Sequence, residues 1–297
     1  MRLSAPFTVL TLLLSLSLTG CVTESEARRV ETFGAQSSIS VSSVAVSSAQ
    51  KTSRSSRSTA TSKPAPQPLA PATPPTELTV PILVYHHVRP TGSYPKETWS
   101  YKMSVSPKAF ETQMQWLVDH GYTTVTLTTL AEMRAGTRLG PTKPVVITFD
   151  DNQMSAYDLA LPVLVKNNQT AVFYLITNRL ENADSIGTDE IPKLVEAGME
   201  IGSHTVTHSD LVRVSDAQLK TEMADSRTAL EAVTGTPVLH LAYPLTSQNE
   251  RVRTAAQAAG YSTATVMDPR PSTMKDSPWK LPRIMMTDDT NLAKVLP

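Results

Sequence analysis

A single cysteine, Cys21, occurs in the 297 residues, so no internal disulfide braces this chain. Charge of one sign is also lacking: 27 Lys and Arg balance 27 Asp and Glu. The balance is uneven along the chain. Residues 1–76 hold 7 basic and 3 acidic residues, which leaves 20 basic and 24 acidic over 77–297, a net of −4. A mildly acidic body without a basic stripe argues against a nucleic-acid partner. No HExxH occurs, which disfavours a zinc peptidase of that type. The apolar run from Phe7 to Leu18 is too short to span a bilayer. What remains, at 40% hydrophobic and 18% charged, has the composition of a globular protein with appendages.

The appendages come first. Arg2 followed by the apolar run reads as a secretory signal over residues 1–20. Leu18-Thr19-Gly20-Cys21 resembles the bacterial lipobox, which implies lipidation at Cys21; the plainer reading is a secretory signal with a chance cysteine. Residues 21–76 read as a lipidated cysteine followed by a disordered tether. From residue 35 onward Ser, Thr, Ala and Pro dominate, with too little large apolar surface to offset the entropy of ordering. The expectation is an exported lipoprotein of the cell envelope, held to the membrane by its lipid. In a Gram-negative cell, Val22 after the cysteine suggests outer-membrane sorting.

Residues 77–297 read as the folded domain. Apolar runs VPILVY, YTTVTL, PVVITF, TAVFYLI, MEIGS and VLHLAY predict strands. Between them, Ser106-Pro107 predicts a helix start with Phe110, Met114 and Leu117 on one face and Gly121 as its stop. Further helices are predicted near 155–167, 189–197, 215–233 and 249–259. This alternation means an α/β fold on a parallel sheet, open or closed into a barrel. In such folds functional residues gather at the C-terminal ends of strands.

Two motifs stand there. TFDDN at 148–152 places Asp150 and Asp151 after an apolar strand, and SHTVTH at 203–208 places His204 at a strand end with His208 four residues on. A carboxylate and two imidazoles from different elements suit a divalent metal with a position left open for water. The second carboxylate is then left over as a base. Each motif has a duller reading: Asp-Asp as a turn or cap, the histidines as surface neighbours. Their joint placement at strand ends favours a site.

In order and spacing, TFDD, S-H-x-x-x-H and AYP at 242–244 resemble the polysaccharide deacetylase family, also called NodB-homology or carbohydrate esterase 4. YHHV at 85–88 and LPRI at 281–284 resemble its poly-N-acetylglucosamine deacetylase branch. The resemblance spans roughly 80–285. It implies a distorted (β/α)7-type barrel and metal-dependent removal of N-acetyl groups from an envelope or extracellular polysaccharide, poly-N-acetylglucosamine-like or peptidoglycan. It implies one divalent ion held by Asp151, His204 and His208, with zinc first and nickel, cobalt, manganese or iron as alternatives. Asp150 becomes the base, His86 the acid with His87 as its rival, and the backbone N–H of Leu245 the oxyanion donor. Tyr243 and Trp279 are candidates to line the sugar pocket, and His240 for the core or for a supporting place behind the site.

The chain departs from the family pattern at three places. Asn152 replaces a glycine, AYPLTS replaces AYP-aromatic-Gly, and Ala242 stands where some members carry an arginine that orients the catalytic Asp. Asn is the next-best residue where φ must be positive, and Arg283 is a substitute for the missing arginine. These changes leave two rivals open: a catalytically weakened polysaccharide-binding lipoprotein, and a structural envelope lipoprotein whose tether is the point. No protein partner is legible.

Overall fold

Seven parallel strands close into a barrel in the computed structural model, which describes residues 77–92 and 95–297. They are β1 (Ile82–Tyr85), β2 (Pro144–Phe149), β3 (Val172–Leu175), β4 (Glu200–Ser203), β5 (His240–Ala242), β6 (Thr263–Met267) and β7 (Leu281–Met285). The ring is sealed by β1, which pairs with β2 on one side and β7 on the other. The signal, the tether and Cys21 lie outside the described residues. None of the described helices is long and apolar enough to cross a membrane.

The strands read as continuous apolar runs because both faces are covered, and the period of two sorts their side chains. Along β2, Val145, Ile147 and Phe149 face the helices, while Val146 packs inside with Ile82, Val172, Tyr174, Ala242 and Leu281. The inward phase of β2 continues through Thr148 to Asp150, that of β1 from Ile82 to His86, and that of β4 from Gly202 to His204. The side chains that emerge at the barrel mouth are therefore fixed by strand register.

Helices shield the outside. α1 (Pro107–Asp119) starts as its sequence predicts: the Ser106 hydroxyl accepts from the Ala109 N–H at 3.2 Å, and Phe110, Met114 and Leu117 are buried. α2 (Leu127–Ala135) corrects the sequence reading, in which YTTVTL is a strand. Only Thr123–Thr124 pairs, with Pro144 and Val145, before Thr126 caps a helix by accepting from Thr129 N–H at 3.0 Å. Glu200 completes that cap, accepting from the Leu127 and Thr128 N–H groups at 2.7 and 3.2 Å. A π-turn at Ala156–Ala160 leads into α3 (Leu161–Lys166), where Pro162 has no N–H to continue the ladder behind it. α4 (Ile191–Glu196), α5 (Asp216–Thr234) and α6 (Glu250–Ala258) fall where they are expected. The strands β6 and β7 are missed by the sequence reading.

His240 belongs to the core. It is buried at the start of β5, with Nδ1 2.8 Å from Thr263 Oγ1 and Nε2 3.0 Å from Thr128 Oγ1, whereas the mouth lies beyond the opposite strand end.

Candidate metal centre and active site

The barrel mouth brings together Asp151 from the loop after β2 and His204 and His208 from the loop after β4. Their ligand atoms lie within 4.8 Å of one another. Asp151 Oδ1 is 3.6 Å from His204 Nε2 and 3.5 Å from His208 Nε2. His204 Nδ1 sits 2.8 Å from the Ala242 carbonyl; donating there leaves Nε2 with its lone pair aimed at the cluster. Asp151 Oδ1 is buried without a hydrogen-bond partner among the described residues. A buried, unpaired carboxylate oxygen facing two imidazole nitrogens is an unstable arrangement unless a cation joins them. The donor set therefore fits a divalent ion.

Asp150 lies beside this cluster and is not part of it. Arg283 grips it in a fork, Nη1 to Oδ1 and Nη2 to Oδ2, both at 2.7 Å. Both side chains are almost fully buried, at 3% and 2% exposure. Burial alone pushes the Asp150 carboxyl pKa up. The Arg283 guanidinium, with His204 and His86, outweighs that and holds it far below the usual carboxylate range. Arg283 rises from the middle of β7 into the barrel, also donates to Thr148 Oγ1 at 3.2 Å, and lies over the Tyr174 ring at 5.3 Å. Gly202 is required opposite that ring, because a Cβ there would come within 2.5 Å of it. Asp150 is thus held from β7, whereas Ala242 on β5 has no side chain long enough to reach it.

His86 and His87 separate by strand parity. His86 lines the cavity, with Nε2 3.9 Å from Asp150 Oδ2 and Nδ1 unpaired among the described residues. Burial lowers its pKa, offset in part by the charges of Asp150 and Asp151. His87 faces the other way, pairs its backbone with Ser104, and does not line the cavity. Burial, Arg89 and His86 bring its pKa down to about 4. The cavity, about 620 Å3, is also lined by Tyr243, Leu245, Thr246, Met267 and Met285. Trp279 packs against the core instead. Trp99, which no sequence motif marks, stands on the rim.

Backbone strain concentrates here. Of the seven described non-glycine residues with positive φ, six lie in the three mouth loops: Asp151, Asn152, Thr205, His208, Leu245 and Thr246. Such conformations cost roughly 1–3 kcal/mol each and persist only where neighbours enforce them. Two buried side chains do so. Asn152, at φ 55, accepts from Ile176 N–H at 2.5 Å and donates to the Ile176 and Ile186 carbonyls at 3.3 and 3.1 Å. It keeps the conformation of a glycine and ties the Asp151 loop to the next strand. Glu222 of α5 accepts from the Val206 and Thr207 N–H groups, both at 2.9 Å, and from the Thr207 hydroxyl, clasping the loop between the two histidines.

A parallel barrel with a carboxylate and two histidines at its mouth and a second carboxylate beside them defines a class: metal-dependent hydrolases. The comparisons narrow it. The model of the polysaccharide deacetylase family matches residues 138–264, which run from β2 to β6. YxkH of Bacillus subtilis is 28% identical over 208 residues, 70% of this chain and 71% of its own. The poly-beta-1,6-N-acetyl-D-glucosamine N-deacetylase of Staphylococcus aureus is 26% identical over 230 residues, 70% and 78% of the two chains. Among solved structures, the deacetylase PplD of Streptococcus pyogenes in complex with acetate superposes with a TM-score of 0.71 at 25% identity, over 75% of this chain and 100% of that one. Residues 138–264 thus carry a polysaccharide deacetylase domain, and deacetylases of this kind use a divalent metal.

Proposed function

We propose that the protein is a metal-dependent polysaccharide N-deacetylase, hydrolysing the acetamide of N-acetylated sugars in an envelope or extracellular glycan, poly-N-acetylglucosamine-like or peptidoglycan. The observation that carries the reading is the division of two adjacent carboxylates. Asp151 Oδ1 faces His204 and His208 at 3.6 and 3.5 Å, while Asp150, 3.9 Å from His204 Nε2, has both its oxygens held by Arg283.

Asp151, His204 and His208 would hold the ion, and zinc suits two imidazoles and a carboxylate. When bound, the ion lowers the pKa of a water and polarises an acyl oxygen. Asp150 accepts a proton from the attacking water, in an orientation set by the Arg283 fork. His86 donates a proton to the leaving sugar nitrogen. The Leu245 N–H is the proposed donor to the developing oxyanion; a backbone donor needs no particular side chain, so the departure AYPLTS is compatible with this role. The Tyr243 hydroxyl is buried and lacks a partner among the described residues. The test is acetate release from a panel of N-acetylated glycans, with and without a chelator. Release from at least one glycan, abolished by chelation, is expected. Binding without release would favour the weakened-lectin reading instead.

We further infer that the mature protein is a cell-envelope lipoprotein, modified at Cys21 and joined to its barrel by the Ser/Thr/Pro/Ala-rich segment. One acyl chain holds a protein only marginally, so two or three chains are expected there. Cys21→Ser should move the protein out of the membrane fraction or block its processing. An unmodified Cys21 by mass spectrometry, with fractionation unchanged, would end this reading.

A further inference from the structure

Large apolar side chains are costly to leave in water, and the two most exposed among the described residues share one place. Trp99 is 71% exposed and Leu245 68%, and both line the cavity that holds His86, Asp150, His204 and His208. Neither owes its position to packing. Leu245 is held at φ 55, where a branched side chain is disfavoured, in a turn fixed by Thr246, which accepts from the Met267 N–H at 3.2 Å. Trp99 opens a single-turn helix, Trp99–Lys102, that is anchored on every side. The Thr98 hydroxyl accepts from the Tyr101 N–H at 3.3 Å, the Tyr101 hydroxyl donates to Asp289 at 2.8 Å, and the Ser104 hydroxyl donates to the Ser100 carbonyl at 2.6 Å. The helix that presents this exposed indole is braced, so little backbone freedom remains to be lost on binding.

Met103, Met267 and Met285 line the space around these two residues, giving an adaptable apolar wall. The cavity's 620 Å3 lies well inside the roughly 300–1,000 Å3 of pockets that enclose a drug-sized ligand, more than one acetamido sugar beside a metal requires. Its buried charges are paired, Asp150 with Arg283, and of its outer lining only Lys102 is a cation. An uncharged ring with apolar C–H faces suits such walls, and a pyranose has those faces.

We propose that Trp99 and Leu245 form a binding site for the sugar next to the one being deacetylated, which makes them the residues of this chain that set how turnover depends on substrate length. The proposal rests on the deacetylase reading above. The indole stacks on one face of the neighbouring ring, and Leu245 closes the other side of the cavity. The acetylated ring is thereby placed with its acetamide over Asp150 and the histidines.

The experiment measures kcat/KM for acetate release from N-acetylglucosamine oligomers of one to four units, in wild type and Trp99→Ala. β-1,6-linked oligomers, β-1,4-linked oligomers and peptidoglycan glycan strands form separate arms, which distinguish the sources of the same ligand chemistry. In wild type, kcat/KM should rise from the monosaccharide to the oligomers. In Trp99→Ala it should fall about tenfold on the tetramer, the size expected when one indole face loses its contact, and much less on the monosaccharide. An equal loss at every length, or none, overturns the proposal. Binding is read separately from turnover, by tryptophan fluorescence of metal-loaded protein titrated with the tetramers. A change seen in wild type and lost in Trp99→Phe supports the site even if no glycan is deacetylated. A change that survives in Trp99→Phe, or no change with any tetramer, overturns it.

Discussion

Asp150→Asn keeps its metal and loses turnover by at least about a hundredfold, the lower end of what a general base contributes. The retention follows from geometry: the proposed ligands are Asp151, His204 and His208, and Asp150 instead faces Arg283. Asparagine has nearly the same shape but no charge, so it leaves the buried guanidinium without its counter-ion. Breaking such a pair costs about 3–5 kcal/mol, and a lower melting temperature should accompany the lost rate. Turnover is therefore measured per folded, metal-loaded molecule, with circular dichroism and elemental analysis on the same sample. A variant that releases acetate as fast as wild type removes Asp150 from the mechanism. The pH profile carries the acid. His86 must hold its proton to donate it, and burial weakens its hold, so kcat/KM falls as pH rises through a His86 pKa below the ordinary imidazole value. In His86→Ala that alkaline limb flattens, whereas His87→Ala, which alters a ring outside the cavity, keeps it.

His204→Ala loses the metal and the activity together. Two remaining protein ligands, Asp151 and His208, rarely hold an ion that also keeps an open position. The drop in metal affinity should exceed the roughly 10–100-fold that follows from disturbing a ligand's supporting hydrogen bond alone. Elemental analysis of wild type and variant is the measurement, and equal metal content in both would sink the ligand assignment. Truncation leaves the loop's other supports in place: Glu222 still accepts from Val206 and Thr207, so loss of metal can be told apart from collapse of the loop.

Much of the centre could be read from the sequence because strand parity makes it a local property. Once PVVITF is a strand buried on both faces, Asp150 and Asp151 must leave it at the mouth, and His204 leaves MEIGS at the same end. What could not be read from pattern alone depends on contacts distant in sequence. Arg283, offered by the sequence as a stand-in for the missing arginine, reaches Asp150 across 133 positions, and Glu222, which the sequence does not single out, reaches its loop from a helix that shows only an amphipathic pattern. The strand containing Arg283, LPRIM, was hidden by its proline and arginine; the arginine is tolerated inside the barrel only because Asp150 neutralises it. YTTVTL misled because β-branched threonines favour strands by propensity, whereas Thr126 acts here as a cap for the helix that follows. Trp99 gave no signal at all, since one exposed indole in a polar stretch has no period to betray it. Asn152 was legible in part. Its positive φ could be expected from the glycine it replaces, but not its clasp on Ile176 and Ile186.

The most direct test of a single-ion deacetylase is a zinc titration of metal-free protein, following acetate release from the best N-acetylated glycan of the panel. Release should be absent at the start, rise in proportion to added zinc, and level off at one equivalent per chain. Full-rate release before any metal is added, or none after a full equivalent is bound, would contradict it.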